Sequence, residues 1–197
     1  MKAASGGIFT AFAEILLKRG GVICGAAYND DLTASLIVAQ DHAGLEKIRS
    51  SKYMQASAGH AYKEIEKLLS EGKEVLFGGC PCQVAALYAC LGDKRYDNLY
   101  TMDLICHGVP SAKVFRRYAE DTYGKGNVES VDFRAKEKFG WSTEITVKLK
   151  SGSVIRKKHD NDSFYRAFLP CMALRKSCAT WEFSRLARQG DLTIGDF

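Results

Sequence analysis

Residues 75–91, with the sequence VLFGGCPCQVAALYACL, combine a short apolar run, a loop with two glycines and two cysteines, and a helical pattern. The uninterrupted apolar run at 75–77 predicts a buried strand. Apolar residues then recur at helical spacing over residues 83–91, and Gly92 ends the pattern. A strand, a glycine-rich loop and a helix in this order predict α/β architecture, with a loop that a ligand can approach closely.

Helical and strand patterns continue on both sides of this unit. Apolar residues at helical spacing predict helices at residues 8–19, 41–48, 61–69, 111–123 and 163–169. Apolar or alternating runs predict strands at residues 22–28, 36–39, 99–105, 128–134, 143–149, 154–158 and 191–194. We expect a mixed α/β (α+β) fold, with a partly parallel sheet core, flanking helices and a β-rich second lobe. We divide the chain into an amino-terminal lobe, residues 1–78, and a carboxyl-terminal lobe, residues 79–197.

The composition narrows the class of protein. With 197 residues, 46% of them hydrophobic, the chain is long enough to bury a core. We find neither a signal peptide nor an apolar stretch near the roughly 20 residues of a membrane span, so we expect a cytoplasmic protein without membrane insertion. The net charge is +5, but basic residues are dispersed among acidic ones, which argues against nucleic-acid binding. Seven cysteines without an export signal favour metal or redox chemistry over disulfides.

Three loops carry candidate metal ligands. Cys82 lies in GGCPCQ at the start of a predicted helix, where a thiol pKa is lowered. Cys106 follows a buried strand in DLICHGVP, and Cys178 ends LRKSC. Three thiolates from three separate loops indicate an iron–sulfur site, with zinc as the weaker alternative because the spacing is not that of a zinc finger. We expect Cys24 and Cys90, which lie in strand and helix patterns, to be core residues.

Small and polar residues mark candidate cofactor contacts. The SGG turn before the first helix is typical of nucleotide phosphate sites, and the loop SSKYMQ at residues 50–55 offers a cation and an amide to a flavin. The GGCPCQ loop adds a close backbone approach and a helix amino terminus. A plain helix cap or a solvated loop would give similar patterns. The candidate cofactor-binding residues are Ser5, Gly6, Gly7, Lys52, Gln55, Gly79 and Gln83.

His107 is the candidate catalytic residue. It follows Cys106 in a loop at the carboxyl end of a strand, the edge at which open α/β sheets bind ligands. An imidazole there suits proton handling or the tuning of a flavin. Asp103 and Asp196 have an alternative interpretation as carboxylates that order loops.

Taken in order, these motifs resemble the coenzyme F420 hydrogenase/dehydrogenase beta-subunit family over essentially the whole chain. The motifs that carry the resemblance are SGGIF (5–9), SKYMQ (51–55), PCQ (81–83), DLICHGVP (103–110), FR (133–134), GW (140–141), LRKSC (174–178) and DLTIGDF (191–197). The resemblance implies FAD in the α/β core, a [4Fe–4S] cluster close by, and electron transfer to a hydride carrier such as coenzyme F420, another deazaflavin or a nicotinamide. It also implies a ferredoxin or another redox subunit as partner. Under this resemblance the flavin contacts are Ser5, Gly6, Gly7, Lys52 and Gln55, and the cluster ligands include Cys82, Cys106 and Cys178.

The sequence departs from the family pattern in three places. The family commonly has a fourth cysteine three positions after the third, where this chain has Trp181. Either Cys171 or Cys80 takes its place, or the cluster has three irons, is labile or is absent; Cys171 is the metal ligand that we predict. Relatives often carry an amino-terminal ferredoxin-like segment with closely spaced cysteines, and nothing like it precedes Ser5, so we expect electrons to arrive from a separate protein or a missing part of this one. Relatives usually continue beyond Phe197, so we expect a truncated chain.

Two other functions are compatible with these residues. The first is a non-catalytic or cluster-less subunit or fragment that docks to a redox complex, which Trp181 favours. The second is a thiol redox protein that uses Cys80 and Cys82. Their Cys-Pro-Cys spacing is tighter than the usual Cys-X-X-Cys, which disfavours it.

Overall fold

The computed structural model describes residues 7–135, 144–180, 182–184 and 187–195. The helices are α1 (Ile8–Lys18), α2 (His42–Ile48), α3 (Ala61–Ser70), α4 (Pro81–Leu91), α5 (Ala112–Tyr123), α6 (Ser163–Phe168) and α7 (Lys176–Ala179). The strands are β1 (Val22–Tyr28), β2 (Ala34–Ala39), β3 (Ala56–Ser57), β4 (Val75–Gly79), β5 (Leu99–Leu104), β6 (Val128–Ala135), β7 (Glu144–Leu149), β8 (Val154–Lys158) and β9 (Leu192–Ile194). Two 3₁₀ turns span His159–Asn161 and Glu182–Ser184.

Six strands form one sheet in the order β3-β2-β1-β4-β5-β9. Only the β1–β2 hairpin is antiparallel; the other four pairings are parallel. The partly parallel sheet core is therefore confirmed. Its central strand β4 contains the predicted division between residues 78 and 79, and that domain boundary stays a prediction.

Helices cover both faces of this sheet. Because side chains alternate along a strand, Val22 and Val75 face α3 and α4, while Ile23 and Leu76 face α1 and α2. All four side chains are at most 3% exposed, which explains the continuous apolar runs of a sheet buried on both faces. Cys24 is buried as expected.

Cys90 is exposed, so the prediction of a core residue at this position was wrong. It lies in the last turn of α4, whose buried residues are Pro81, Val84, Leu87 and Leu91. At 100° per residue, Cys90 lies at the border of this buried face, where the last turn of the helix leaves its side chain exposed.

The second lobe is a three-stranded antiparallel sheet, β6-β7-β8, packed against α5 and α6. Its core is rich in aromatic rings, among them Phe115, Phe133, Phe164 and Tyr165, and Met54 from the loop before β3 joins it. This confirms the predicted β-rich lobe. Among the helices that the structure describes, none has the length and apolar character of a membrane span.

Candidate functional site: a cysteine group beside a cleft

Two of the cysteine loops leave the large sheet at the same edge. β4 and β5 are parallel, and Gly79 pairs with Asp103. Cys80 therefore follows directly after β4, and Cys106 follows two residues after the end of β5. The carboxyl ends of adjacent parallel strands bring these loops together, as in other open α/β sheets.

Two further segments attach to the loop at residues 106–110. The Gln55 N–H donates to the Pro110 carbonyl at 3.0 Å, and the Arg175 N–H donates to the Val109 carbonyl at 3.1 Å. Gly108, with φ 120°, allows the closest approach, because a Cβ there would lie 3.0 Å from Cys178 Cβ. The segment that carries Cys178 therefore packs directly on the Cys106 loop.

The four cysteines Cys80, Cys82, Cys106 and Cys178 are electrostatic neighbours, and we refer to them as the cysteine group. The charges of Cys106 and Cys178 raise the pKa of Cys82, after burial as the larger cause. The Cys80 thiol is hydrogen-bonded to Cys106 and is also influenced by Cys82 and Cys178. These four cysteines are thus close enough to influence one another's ionisation, and the metal site predicted for Cys82, Cys106 and Cys178 stays a prediction.

The pKa of Cys106 is lowered to about 7. The largest cause is a hydrogen bond from the Cys80 thiol, and burial opposes it. The Gly108 N–H, 3.4 Å from Sγ, and the nearby Arg188 guanidinium lower the pKa further. The pKa of Cys80 is raised, since this thiol is the donor of the pair and is itself buried. The environment of the group therefore favours at least one thiolate.

Cys171 lies apart from these contacts. It is exposed, adopts φ 64°, and its Sγ is 3.9 Å from the Leu169 carbonyl. Its predicted role as a metal ligand stays a prediction. Within the part of the chain that the structure describes, no three His, Cys, Asp or Glu side chains are grouped so that they could hold a metal ion.

The start of α4 is fixed by a reciprocal capping arrangement. Cys80 is the N-cap residue, Pro81 begins the helix, and the Gln83 Oε1 accepts from the Cys80 N–H at 2.9 Å. A Cβ at Gly79 would lie 3.0 Å from this Oε1. Gly79 and Gln83 thus support the start of α4. The Gln83 Nε2 takes no part in this cap.

A cleft of about 600 Å³ borders the cysteine group. Cys82, Gln55 and Gln83 all line it, so two predicted cofactor contacts and one predicted metal ligand border the same cleft. Tyr62 contributes a hydroxyl whose pKa is raised to about 12 by burial and by the charges of Cys82 and Cys24. The lining residues include small alanines but no charged side chain; its hydroxyl groups come from Thr33, Ser35, Ser57 and Tyr62.

Lys52 makes a different contact from the expected flavin phosphate. Its Nζ lies 2.5 to 3.1 Å from the carbonyls of residues 47, 48, 49 and 50, at the carboxyl end of α2. An ammonium at this end of a helix satisfies carbonyls that lack helical partners. Burial lowers the pKa of Lys52 to about 7, and Asp132 opposes this. A flavin contact by Lys52 stays a prediction.

Two of the remaining candidate residues, His107 and Gly7, lie within the described structure. His107 is exposed, and its ring lies 4.7 Å from the ring of Phe168. Gly7 caps α1 with φ 80°. Ser5, Gly6 and Trp181 lie outside the described residues, so their predicted roles stay predictions.

Arg188 was not indicated by the sequence analysis. Its guanidinium donates to Asp103 at 3.2 Å and to the Leu104 carbonyl at 2.9 Å. The buried Asp103 also accepts from the N–H groups of Gln189 and Gly190. Asp103 thus orders a loop, as one interpretation of the sequence held, and Arg188 is held near Cys106. No local pattern at Arg188 would have identified it.

Comparisons with known proteins agree with this architecture. The family model that describes the C terminus of the coenzyme F420 hydrogenase/dehydrogenase beta subunit matches residues 72–197. No curated protein matches the sequence.

The structure is similar to a chain of the F420-reducing [NiFe] hydrogenase complex from Methanosarcina barkeri, solved in a xenon-derivatised form. The TM-score is 0.64 and the sequence identity 20%. The match covers 99% of this chain and 65% of that chain. At this identity the likeness concerns the fold alone.

Proposed function

Because the chain belongs to the coenzyme F420 hydrogenase/dehydrogenase beta-subunit family, we propose that it is an FAD-dependent iron–sulfur oxidoreductase subunit. In this proposal it passes electrons between a [4Fe–4S] cluster and a hydride carrier such as coenzyme F420. The observation that carries the proposal is the cysteine group at the sheet edge, with Cys82 also lining the adjacent cleft.

The chemistry of the donors fits an iron–sulfur cluster. Cys82, Cys106 and Cys178 come from three segments and offer only sulfur, the ligand type that iron–sulfur clusters use. Arg188 near Cys106 favours the thiolate of that residue. The N–H groups at the start of α4 also favour a thiolate at Cys82, but burial and the neighbouring cysteines raise its pKa on balance, contrary to the expectation from the sequence. These three residues would hold the cluster.

The cleft fits the ring of a flavin better than its phosphates. A volume of about 600 Å³ lies within the range of ligand pockets. The amides of Gln55 and Gln83 would orient the polar edge of a ring, and the alanines would allow it to lie flat. When bound, FAD converts hydride transfer into single-electron steps that a neighbouring cluster accepts. Since Cys82 belongs to both sites, the two groups would lie close together.

The partners follow from the same proposal. The structural match belongs to a hydrogenase complex, so we propose a ferredoxin or another redox subunit as the electron partner of this chain. The uncharged cleft leaves open which hydride carrier approaches it. His107, exposed beside Phe168, is the proposed proton-handling residue.

The test is anaerobic purification followed by an absorbance spectrum, iron and sulfide assays, and identification of any flavin released by heating. We expect flavin bands with about four irons per chain, and reduction of added coenzyme F420 by the protein with reduced viologen. A matched pair of variants, Cys82→Ser and Cys90→Ser, should lose iron and retain it, respectively.

A colourless protein that also fails to bind added FAD and iron with sulfide would contradict the proposal. Trp181, at the position where relatives have a cysteine, would then favour the alternative, a cluster-less subunit that docks to a redox complex. Co-purification with a redox subunit, without cofactors, would support that alternative.

A further inference from the structure

The turn between α6 and α7, residues 169–173, exposes two large apolar side chains. Met172 is 79% exposed and Leu169 is 52% exposed, so both side chains extend into water. A chain gains no stability from apolar side chains that it leaves in water. We refer to residues 169–173 as the apolar turn.

Hydrogen bonds fix the shape of the apolar turn. The Met172 and Ala173 N–H groups both donate to the Ala167 carbonyl, at 3.0 and 3.2 Å. The Cys171 N–H donates to the Phe168 carbonyl at 3.0 Å. Cys171 also adopts φ 64°, a left-handed conformation that is unfavourable for a residue other than glycine. The apolar side chains are therefore presented by an ordered backbone, which has less entropy to lose when a partner binds.

The segment after the apolar turn packs on the loop of Cys106. A Cβ at Gly108 would lie 2.7 Å from the Leu174 Cδ1 and 3.0 Å from the Cys178 Cβ. Leu174 follows Met172 by two residues. A protein that covers the apolar turn would therefore lie beside the segment that carries Cys178.

The charged side chains on both sides of the apolar turn are all basic. Residues 163–180 contain Arg166, Arg175 and Lys176, and neither Asp nor Glu. Arg166 and Lys176 are exposed, and Arg175 is partly exposed. Within the part of the chain that the structure describes, none of these three residues forms an ion pair. An apolar centre with a polar, charged rim is the usual arrangement of a protein interface.

We propose that the apolar turn, with Arg166, Arg175 and Lys176, is a docking surface for an acidic electron-carrier protein. The acidic character of the partner follows from the three basic residues, because complementary charge steers association. Its role as an electron carrier rests on the proposed function. Two exposed apolar side chains form a small centre, which suits the limited interface area of transient electron-transfer complexes. The flexible side chain of methionine adapts to the surface of such a partner.

The experiment measures binding of the full chain to a small ferredoxin of net negative charge by surface plasmon resonance, at low and at high ionic strength. The test variant combines Arg166→Glu with Lys176→Glu. The matched control combines Lys18→Glu with Lys73→Glu. These two exposed lysines lie near the start of β4, at the other end of the strand from the cysteine group, and their reversal changes the net charge equally.

We expect the reversal at Arg166 and Lys176 to slow association at least about tenfold at low ionic strength, because charges at the rim of an interface act mainly on the association rate. The control reversal should change this rate less than about twofold. High ionic strength should slow the parent chain and reduce the difference between it and the test variant, since salt screens exposed charges.

A second pair of variants tests the apolar centre. Met172→Ser should raise the dissociation constant at least about threefold, because it removes apolar area that the partner buries. Ile15→Ser, at a position that is 52% exposed on α1, is the matched control and should leave the constant unchanged. Circular dichroism verifies the fold of every variant.

The flavin and iron content of the same preparations separates this inference from the proposed function. If the parent chain holds both cofactors and all variants bind the ferredoxin equally, the inference is overturned and the proposed function stands. A parent chain that binds no ferredoxin also overturns the inference. If the parent chain takes up neither cofactor but its binding still depends on Arg166, Met172 and Lys176, the docking surface is supported and the proposed function is overturned in favour of the cluster-less subunit.

Discussion

Asp103 carries a carboxylate that the fold buries completely, on β5 beside the cysteine group. Burial alone would raise its pKa, but hydrogen bonds from Thr193, Gly190, Gln189 and Arg188 together lower it. A carboxylate with so many donors holds the segment at residues 187–195 against the strand. The residue therefore links the last strand of the sheet to the site.

This arrangement predicts a dependence of stability on pH. Because the folded pKa is below the usual 3.8, the contribution of Asp103 is present above that value and is lost as the pH falls through the folded pKa. We expect Asp103→Asn to lower the free energy of unfolding by about 3 kcal/mol near neutral pH. Urea titrations at a series of pH values should show this difference shrinking toward acid.

A control for this prediction is Asp121→Asn, on the exposed side of α5. Its ion pair with Arg117 is solvent-exposed on both sides and should contribute less than about 1 kcal/mol. A difference between wild type and Asp103→Asn that stays constant with pH would contradict the assigned role.

Single residues also show the limits of sequence interpretation. Lys52 stands in a polar loop that looked suitable for a flavin phosphate, but its ammonium caps α2. That contact depends on Ser50, whose φ of 71° turns the chain back over the helix end. No pattern in the sequence predicts that a serine at this position adopts the left-handed backbone conformation. In contrast, the cap made by Gln83 has a local signal, because a glutamine three residues after the N-cap is typical of a capping box.

At the scale of elements, α6 begins at a buried carboxylate that also holds α5. Asp162 accepts from the N–H groups of Phe164 and Tyr165 at 3.1 and 3.2 Å, and from the Tyr118 hydroxyl at 2.5 Å. Its side chain is not exposed. Asp162 thus caps α6 and links it to α5, next to the aromatic core of the second lobe.

We expect Asp162→Ala to lower the free energy of unfolding by about 3 kcal/mol, from the lost cap and the buried hydroxyl left with one partner fewer. Hydrogen exchange followed by mass spectrometry should show faster exchange in α6 and α5 than in β4. The neighbouring Asp160→Ala, at an exposed position, is the control and should exchange like wild type. Equal protection in both variants would argue against this role of Asp162.

Elements were predicted more reliably than their arrangement. Strand and helix patterns are local, so the hairpin of β1 and β2, the strand–loop–helix unit at α4 and the alternating strands of the second lobe could be predicted. The pairing of β9 with β5 could not, because it joins residues about 90 positions apart through Asp191 and Thr101. The same limit applied to the site: motifs identified Cys82, Cys106 and Cys178, but the approach of the Cys80 loop to the Cys106 loop depends on the register of β4 against β5.

At the scale of the whole molecule, the segment at residues 187–195 protects the large sheet. β9 covers the edge of β5, and its neighbours neutralise Asp103. An uncovered strand edge pairs readily with another chain. Without this segment, β5 would combine an open edge with a buried charge that has lost its partners.

Removing residues 187–197 should therefore make the protein self-associate at micromolar concentration, which sedimentation velocity would detect. A chain that lacks only residues 196–197 is the control and should keep the oligomeric state of the full chain. Unchanged sedimentation of the longer deletion would mean that β5 is protected by something other than β9.

The cysteine group also sets an order of events during synthesis. Its members come from segments that lie nearly one hundred residues apart, from Cys80 to Cys178. At roughly 5–20 residues per second, the last thiol leaves the ribosome several seconds after the first. The first three thiols are therefore made before the segment that carries Cys178 leaves the ribosome. Under the proposed function, delivery of iron and sulfide would be a late step of maturation, since a nascent chain that ends before Cys178 lacks one of the proposed ligands.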